Sequence, residues 1–188
     1  LDSEQLGHIR GALDSVNRLS KMNKSLILLT RIENDQYNVS EALNLAELIR
    51  QQLDKFDLFI SSRNLVVNTM LDEPVTLKIN PNLADILLSN LISNAIKYNR
   101  PNGALDIILS KERLIISNSG APLTINDDQI FDRFKKGEQP DSVGLGLAIV
   151  KKVCDHCNCD IHYTYEEDKH KFTIEFLPDK VNGDPLES

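Results

Sequence analysis

The sequence predicts an α+β fold in which helices cover one face of a mixed β-sheet, preceded by one long helix. Three patterns support this prediction. Apolar residues recur at steps of three and four over residues 3 to 34, as in an amphipathic helix. Strand-like segments follow, mostly in pairs that can form antiparallel hairpins. Helical segments separate these pairs, which favours two layers.

The first helix presents a narrow apolar stripe that another helix could cover. The stripe consists of Leu6, Ile9, Leu13, Val16, Leu19, Met22, Leu26 and Leu29. Such a stripe is typical of helices that pair in a two-stranded or four-helix assembly, so we expect a second copy of the chain as partner. Packing of the helix on its own domain remains the alternative. The polar residues 34 to 38 end the helix.

The rest of the chain alternates between strand and helix patterns. Asn80 and Pro81 supply an N-cap and a first helical position, so we expect a helix from there to Tyr98. The other predicted elements are helices over 45–61 and 145–157 and strands over 65–67, 75–79, 105–109, 113–116, 161–165 and 171–176. Residues 118 to 143 form a polar, irregular stretch.

Composition disfavours several classes of function. The 188 residues carry a net charge of -7, so we expect no nucleic-acid partner. No apolar run approaches the roughly 18 residues that span a bilayer. The chain begins at Leu1 and has no signal peptide, so we expect a fragment of a longer protein. The three cysteines lie within residues 154–159, which fits a reducing compartment.

The helix over 81–98 carries amides next to its apolar row. Asn90, Asn94, Lys97 and Tyr98 are spaced so that they share one face. Burial of an amide without a partner costs about 1–3 kcal/mol, so two amides one turn apart need an explanation. A cleft that holds Mg²⁺ and phosphates would provide one, because Mg²⁺ prefers oxygen ligands. A solvated polar face with helix-end capping is the alternative.

A glycine turn opens the last predicted helix. Gly144 and Gly146 flank Leu145, and Leu147 follows them. Glycines let a ligand approach the backbone, and the N–H groups of a helix N-terminus attract anions. The turn therefore suits a phosphate, although a helix that begins at a glycine turn needs no ligand.

Four motifs in order resemble those of sensor histidine kinases. Residues 90–99 resemble the N box, residues 130–134 the F box and residues 144–151 the second glycine box. Residues 118–120 lie where the first glycine box belongs. The resemblance implies the GHKL/Bergerat-type two-layer sandwich and an ATP-binding catalytic domain.

The resemblance also implies a division of the chain and a function. Residues 1–36 would be the second helix of the dimerisation and phosphotransfer domain, 37–178 the ATP-binding catalytic domain and 179–188 a tail. The module would bind Mg-ATP and donate the γ-phosphoryl group to a histidine outside this fragment, for relay to a response-regulator receiver domain. The intact protein would be anchored in the inner membrane, with this fragment in the cytoplasm. A degenerate nucleotide-binding or scaffold module is the alternative.

Residue roles follow from the same resemblance. Asn94 would coordinate Mg²⁺, Lys97 would meet phosphate, and Tyr98 would flank the adenine. Asn90 stands where related ATPases, such as topoisomerase and chaperone subunits, keep a catalytic glutamate. Further nucleotide contacts would come from Asn118, Gly120, Arg133, Lys135, Lys136, Gly144, Leu145, Gly146 and Leu147. Phe131 and Phe134 would anchor a mobile lid over residues 120 to 143.

The chain departs from the family pattern at two places. Asn118 and Pro122 replace an aspartate and a glycine of the first glycine box. Because an amide can both accept and donate, we expect weaker and less base-selective nucleotide binding. The phosphoacceptor segment is missing and His8 lacks its context, so we expect no autophosphorylation.

Cysteine and histidine also cluster near the end of the last predicted helix. We expect incidental thiols at Cys154, Cys157 and Cys159 rather than a zinc site with His156, because no second ligand pair follows.

Overall fold

A computed structural model of the chain describes residues 2–37, 40–123, 129–134 and 144–176. The helices are α1 (Ser3–Glu33), α2 (Leu45–Ser62), α3 (Pro81–Lys97) and α4 (Gly146–His156). The strands are β1 (Glu41–Asn44), β2 (Val66–Leu71), β3 (Thr76–Ile79), β4 (Ala104–Leu109), β5 (Arg113–Ser119), β6 (Asp160–Glu166) and β7 (Lys169–Glu175). No helix in these ranges is long and apolar enough to cross a membrane.

The main sheet has five strands in the order β2-β4-β5-β7-β6. β2 and β4 pair in parallel and the other neighbours are antiparallel, which confirms the mixed sheet and both predicted hairpins. A separate two-stranded sheet joins β1 to β3. The sequence analysis missed β1, because its four residues, Glu-Ala-Leu-Asn, show neither alternation nor β-branched side chains.

One apolar core lies between the main sheet and the helices. Along β4, Leu105, Ile107 and Leu109 are buried while their neighbours are more exposed, so one sheet face is covered. Packing contacts join α3 to α2, to α4 and to β5, and α4 to β6. The predicted α+β sandwich with helices on one face is therefore the observed architecture.

The long helix α1 behaves differently along its length. Its side chains Leu6, Ile9, Leu13, Val16 and Leu19 are 53% to 64% exposed. Near its C-terminus, Leu29 and Ile32 are buried and α1 packs against α4. The C-terminal end of α1 thus packs on its own domain, whereas the pairing of the exposed stripe with a second copy of the chain stays a prediction.

Candidate functional site

The polar face of α3 lies beside its buried row, as predicted. The Asn80 side chain caps the helix by accepting from the Asn82 amide at 2.9 Å, and Pro81 takes the first position. The apolar row of Leu83, Leu87, Leu91 and Ala95 is buried. Asn90, Asn94, Lys97 and Tyr98 are all half-buried along the neighbouring face. These side chains are therefore neither part of the closed core nor fully exposed to solvent.

Asn90 contacts the first turn of α4. Its Nδ2 donates to the Ile86 carbonyl at 2.7 Å, which fixes the amide on its own helix. A Cβ added at Gly146 would lie 2.9 Å from Asn90 Oδ1. The glycine therefore allows α3 and the start of α4 to approach closely. This contact brings the N box and the second glycine box together, as the motifs predict.

The N-terminus of α4 has no side-chain cap. Leu145 occupies the N-cap position, is 1% exposed and forms no capping hydrogen bond. The first amides of a helix need partners, and a side chain, water or an anion can supply them. The N–H groups and the positive dipole end of α4 are consequently available to an anion beside Asn90.

The glycine turn is tied to the F box. Gly144 has a φ of 72°, a backbone conformation that favours glycine, and its carbonyl accepts from the Phe134 amide at 2.8 Å. Phe131 packs edge-on against Phe172, with ring centroids 6.4 Å apart. The Phe134 side chain is 50% exposed, and its role in anchoring the lid stays a prediction, because most of the lid lies outside the described residues.

Arg133 lies away from the polar face of α3 and forms an ion pair with Glu33 at the end of α1. Its predicted contact with phosphate therefore stays a prediction. Lys135, Lys136 and most of the predicted lid lie outside the described residues.

The Lys97 ammonium lies 5.3 Å from the ring centroid of Tyr98. The cation and the aromatic ring are therefore neighbours at the C-terminal end of α3.

Asn118 lies near the end of β5, on the strand that packs against α3. It is 1% exposed on the helix-facing side of β5, between Leu105 and His170 on the neighbouring strands. Its Nδ2 donates to the Ser119 carbonyl at 3.1 Å. A Cβ at Gly120 would lie 3.1 Å from the carbonyl of Tyr98, so the end of β5 and the end of α3 meet here.

His170 on β7 is a buried polar residue that was not among the candidates predicted from the sequence. It is 5% exposed, and its Nδ1 lies 2.8 Å from the Tyr163 hydroxyl. Burial lowers the pKa of His170, and a hydrogen bond to the Ala121 backbone opposes this shift. The alternation of His170, Phe172 and Ile174 marks an inward face, so the sequence did contain a signal for burial.

The cysteine cluster is part of the core. Cys154, Cys157 and Cys159 are buried, and burial raises the pKa of Cys154 well above its usual value. Buried cysteines of this kind pack as small apolar side chains. The His156 ring instead faces Asp35, with Nδ1 and Oδ1 3.4 Å apart.

Similarity to known proteins agrees with this geometry. The profile of the histidine kinase-, DNA gyrase B-, and HSP90-like ATPase family matches residues 79–181. A heme sensor protein, HssS, from Staphylococcus saprophyticus subsp. saprophyticus is 30% identical over 164 residues, covering 81% of this chain. The chain spans 34% of the length of HssS.

Two solved structures share the fold. The histidine kinase AdeS of Acinetobacter baumannii has a TM-score of 0.72 and 25% identity, with 89% of this chain and 82% of AdeS covered. The catalytic domain of histidine kinase ThkA has a TM-score of 0.65 and 27% identity, with 72% of this chain and 93% of that domain covered. The chain belongs to the family of histidine kinase-, DNA gyrase B- and HSP90-like ATPases, as a catalytic domain of the sensor histidine kinase type.

Proposed function

We propose that this domain binds Mg-ATP between α3 and the start of α4 and donates the γ-phosphoryl group to a histidine outside the fragment. One observation carries the proposal: the half-buried amide face of α3 meets an uncapped helix N-terminus, with Gly146 against Asn90. Anions bind at such helix starts, and amide oxygens suit Mg²⁺. We call this the phosphate end of the site, comprising Asn90, Asn94, Lys97 and the first turn of α4.

The phosphate end has the donors that a magnesium–triphosphate group needs. Asn94 offers an amide oxygen for the metal, Lys97 a point charge for phosphate and α4 its free N–H groups. Bound Mg²⁺ would neutralise charge on the phosphates. The residues of the chain would align the γ-phosphoryl group and exclude water, which is most of what phosphoryl transfer requires.

Asn90 favours transfer over hydrolysis. An amide can orient a nucleophile or a metal-bound water, but it cannot take a proton as a carboxylate can. The family resemblance implies that related hydrolytic ATPases carry a catalytic glutamate at the position of Asn90. The reaction that fits an amide is attack by a nucleophile that needs little activation, such as a histidine imidazole.

Asn118 and Gly120 form what we call the base end of the site. Because Asn118 Nδ2 is held at the Ser119 carbonyl, Oδ1 is the atom that remains to accept from the amino group of adenine. Turning the amide over for guanine would bring Oδ1 against that carbonyl. We therefore propose a preference for adenine, which revises the lower selectivity expected from the sequence.

The partners follow from the same proposal. The exposed stripe of α1 suits a second copy of the chain, since a helix seam of this kind is covered by another helix. A response-regulator receiver domain would take the phosphoryl group from the histidine.

The alternative function is a scaffold without kinase activity. It rests on Asn118 and Pro122, where the chain departs from the family pattern.

Calorimetric titration with Mg-ADP, Mg-ATP and Mg-GTP tests the proposal. We expect binding of both adenine nucleotides, at least about tenfold weaker binding of Mg-GTP, and a loss of about tenfold or more for Asn94→Ala, since tenfold equals 1.4 kcal/mol. Asn82→Ala, on the exposed first turn of the same helix, is the matched control and should bind as the wild type does. Flat heats on folded wild-type protein would instead support the scaffold.

A further inference from the structure

The β6–β7 hairpin holds the backbone at the point where the chain leaves β5. The Gly120 amide donates to the Asp168 carbonyl at 3.0 Å. The Tyr165 hydroxyl donates to the Gly120 carbonyl, also at 3.0 Å. Both polar groups of this peptide segment are thus bonded to one hairpin. We call Tyr163, Tyr165, Asp168 and His170 the hairpin brace.

His170 adds a bond to the next residue. Burial lowers the pKa of His170, and a hydrogen bond to the Ala121 backbone opposes this shift, as expected when an imidazole N–H donates to a carbonyl. A Cβ at Gly120 would lie 2.6 Å from Nε2, so Nε2 is the nitrogen on that side. A neutral imidazole with its proton on Nε2 accepts at Nδ1, where the Tyr163 hydroxyl lies 2.8 Å away. The ring therefore links Tyr163 to Ala121.

The glycine at position 120 makes room for this ring. A Cβ there would lie 2.6 Å from Nε2 and 2.7 Å from Cδ2 of His170. The imidazole is held on both sides by hydrogen bonds, so it cannot move aside as the end of a flexible side chain could. Gly120 was expected to contact nucleotide, but its close neighbour in the structure is His170.

The hairpin brace lies beside the base end. His170 is the direct cross-strand neighbour of Asn118, whose amide we assign to the base. The Tyr98 carbonyl would lie 3.1 Å from the same added Cβ at Gly120, so it borders the same space as the ring. Any change in the path of residues 120 and 121 would therefore shift the groups that border the base.

We propose that His170 is a positioning residue, whose ring, bonded to Tyr163 and Ala121, fixes the direction in which the chain leaves β5 and so holds Asn118 against the base. This inference rests on the proposed nucleotide-binding function. The competing interpretation is a buried histidine that only fills space. In that case a ring of similar size without hydrogen bonds would serve equally well.

Three variants separate these interpretations. His170→Phe keeps a ring but removes both hydrogen bonds, and His170→Gln restores an N–H near the position of Nε2. His162→Gln changes an exposed histidine of the same hairpin and is the matched control. The readouts are hydrogen exchange of the Gly120 amide, followed by NMR, and Mg-ADP affinity by calorimetry.

We expect His170→Phe to speed Gly120 exchange and to weaken Mg-ADP binding, each by about tenfold, the effect of about 1.4 kcal/mol. His170→Gln should recover most of both losses, and His162→Gln should match the wild type. Wild-type exchange and affinity in a folded His170→Phe protein would overturn the inference. If the wild type binds no adenine nucleotide, the proposed function fails, and the exchange data alone decide whether the brace fixes the segment.

A measurement on the wild type covers the case in which His170→Phe does not fold. Nitrogen chemical shifts of the imidazole report which ring nitrogen carries the proton. A proton on Nε2 at neutral pH supports the bond to Ala121. A proton on Nδ1 contradicts it and refutes the link.

Discussion

At the base end of the site, Asn118 is almost fully buried and the adjoining backbone is bonded to a hairpin, whereas the side chains of the phosphate end are half-buried. Asn90 bonds to its own helix. Among the residues that the structure describes, none forms a hydrogen bond with the Asn94 side chain. The base end is therefore fixed by hydrogen bonds within the protein, whereas the Asn94 side chain of the phosphate end is not. Substitutions at the base end should change stability, and those at the phosphate end mainly affinity.

The largest expected effect is the loss of stability in Gly120→Ala. The new Cβ would meet the held imidazole of His170 and the backbone carbonyl of Tyr98. Such overpacking costs about 1–3 kcal/mol of the free energy of unfolding, measurable by urea denaturation. Gly11→Ala on α1, where nothing lies within 4 Å of the added Cβ, is the control. It should stabilise by up to about 1 kcal/mol. Equal stability of Gly120→Ala and the wild type would contradict the fixed base end.

Gly146→Ala tests the phosphate end. The added Cβ meets the amide oxygen of Asn90, the end of a flexible side chain, which can turn away by exchanging its bond to the Ile86 carbonyl for one to water. We expect little change in the free energy of unfolding but about tenfold weaker Mg-ADP binding, or about 1.4 kcal/mol, because Asn90 is displaced. Urea denaturation and calorimetry on the same preparation separate the two quantities. A large loss of stability with unchanged affinity would reverse the contrast between the ends.

The pH dependence of the free energy of unfolding tests whether His170, beside the base end, is protected from protonation. Burial lowers the pKa of His170 in the folded chain, whereas an unfolded histidine titrates near about 6.5. Between these two values the unfolded chain binds more protons, so the free energy of unfolding falls as the pH falls. The titratable side chains that contact the ring are those of Tyr163 and Tyr165, and the Tyr165 hydroxyl also donates to Asp168.

Urea denaturation at several pH values between about 7.5 and 5.5 measures this slope, in the range where histidine titrates. His170→Phe should have a smaller slope than the wild type. His162→Phe should retain the wild-type slope, because His162 is exposed on the same hairpin. An identical slope in all three proteins would show that His170 is not protected from protonation.

The smallest effect is expected for Glu33→Gln. This change breaks the ion pair with Arg133, but both side chains are partly exposed. Exposed pairs contribute about 0–1 kcal/mol and are screened by salt. We therefore expect a small change in the free energy of unfolding that disappears at high salt. A loss that persists at high salt would point to a role for Glu33 beyond its charge.

The features that could be predicted from the sequence were those that depend on short-range residue patterns. The spacing of Asn90 and Asn94, the Asn80 cap and the glycine turn all depend on residues within a few positions of one another. The contacts that fix their geometry join distant segments. No local pattern shows that Gly146 meets Asn90, that Gly120 accommodates His170, or that Arg133 pairs with Glu33. The fold class and candidate residues were therefore accessible from sequence, and the brace was not.

The helix α1 is unbroken over 31 residues, which corresponds to a rod of about 46 Å. The N-terminal part of α1 carries the uncovered stripe, and its C-terminal part is embedded in the domain through Leu29 and Ile32, against α4. The helix is continuous between these two parts. Inserting or deleting one residue between them would therefore rotate the stripe by about 100° relative to the first turn of α4, which belongs to the proposed phosphate end.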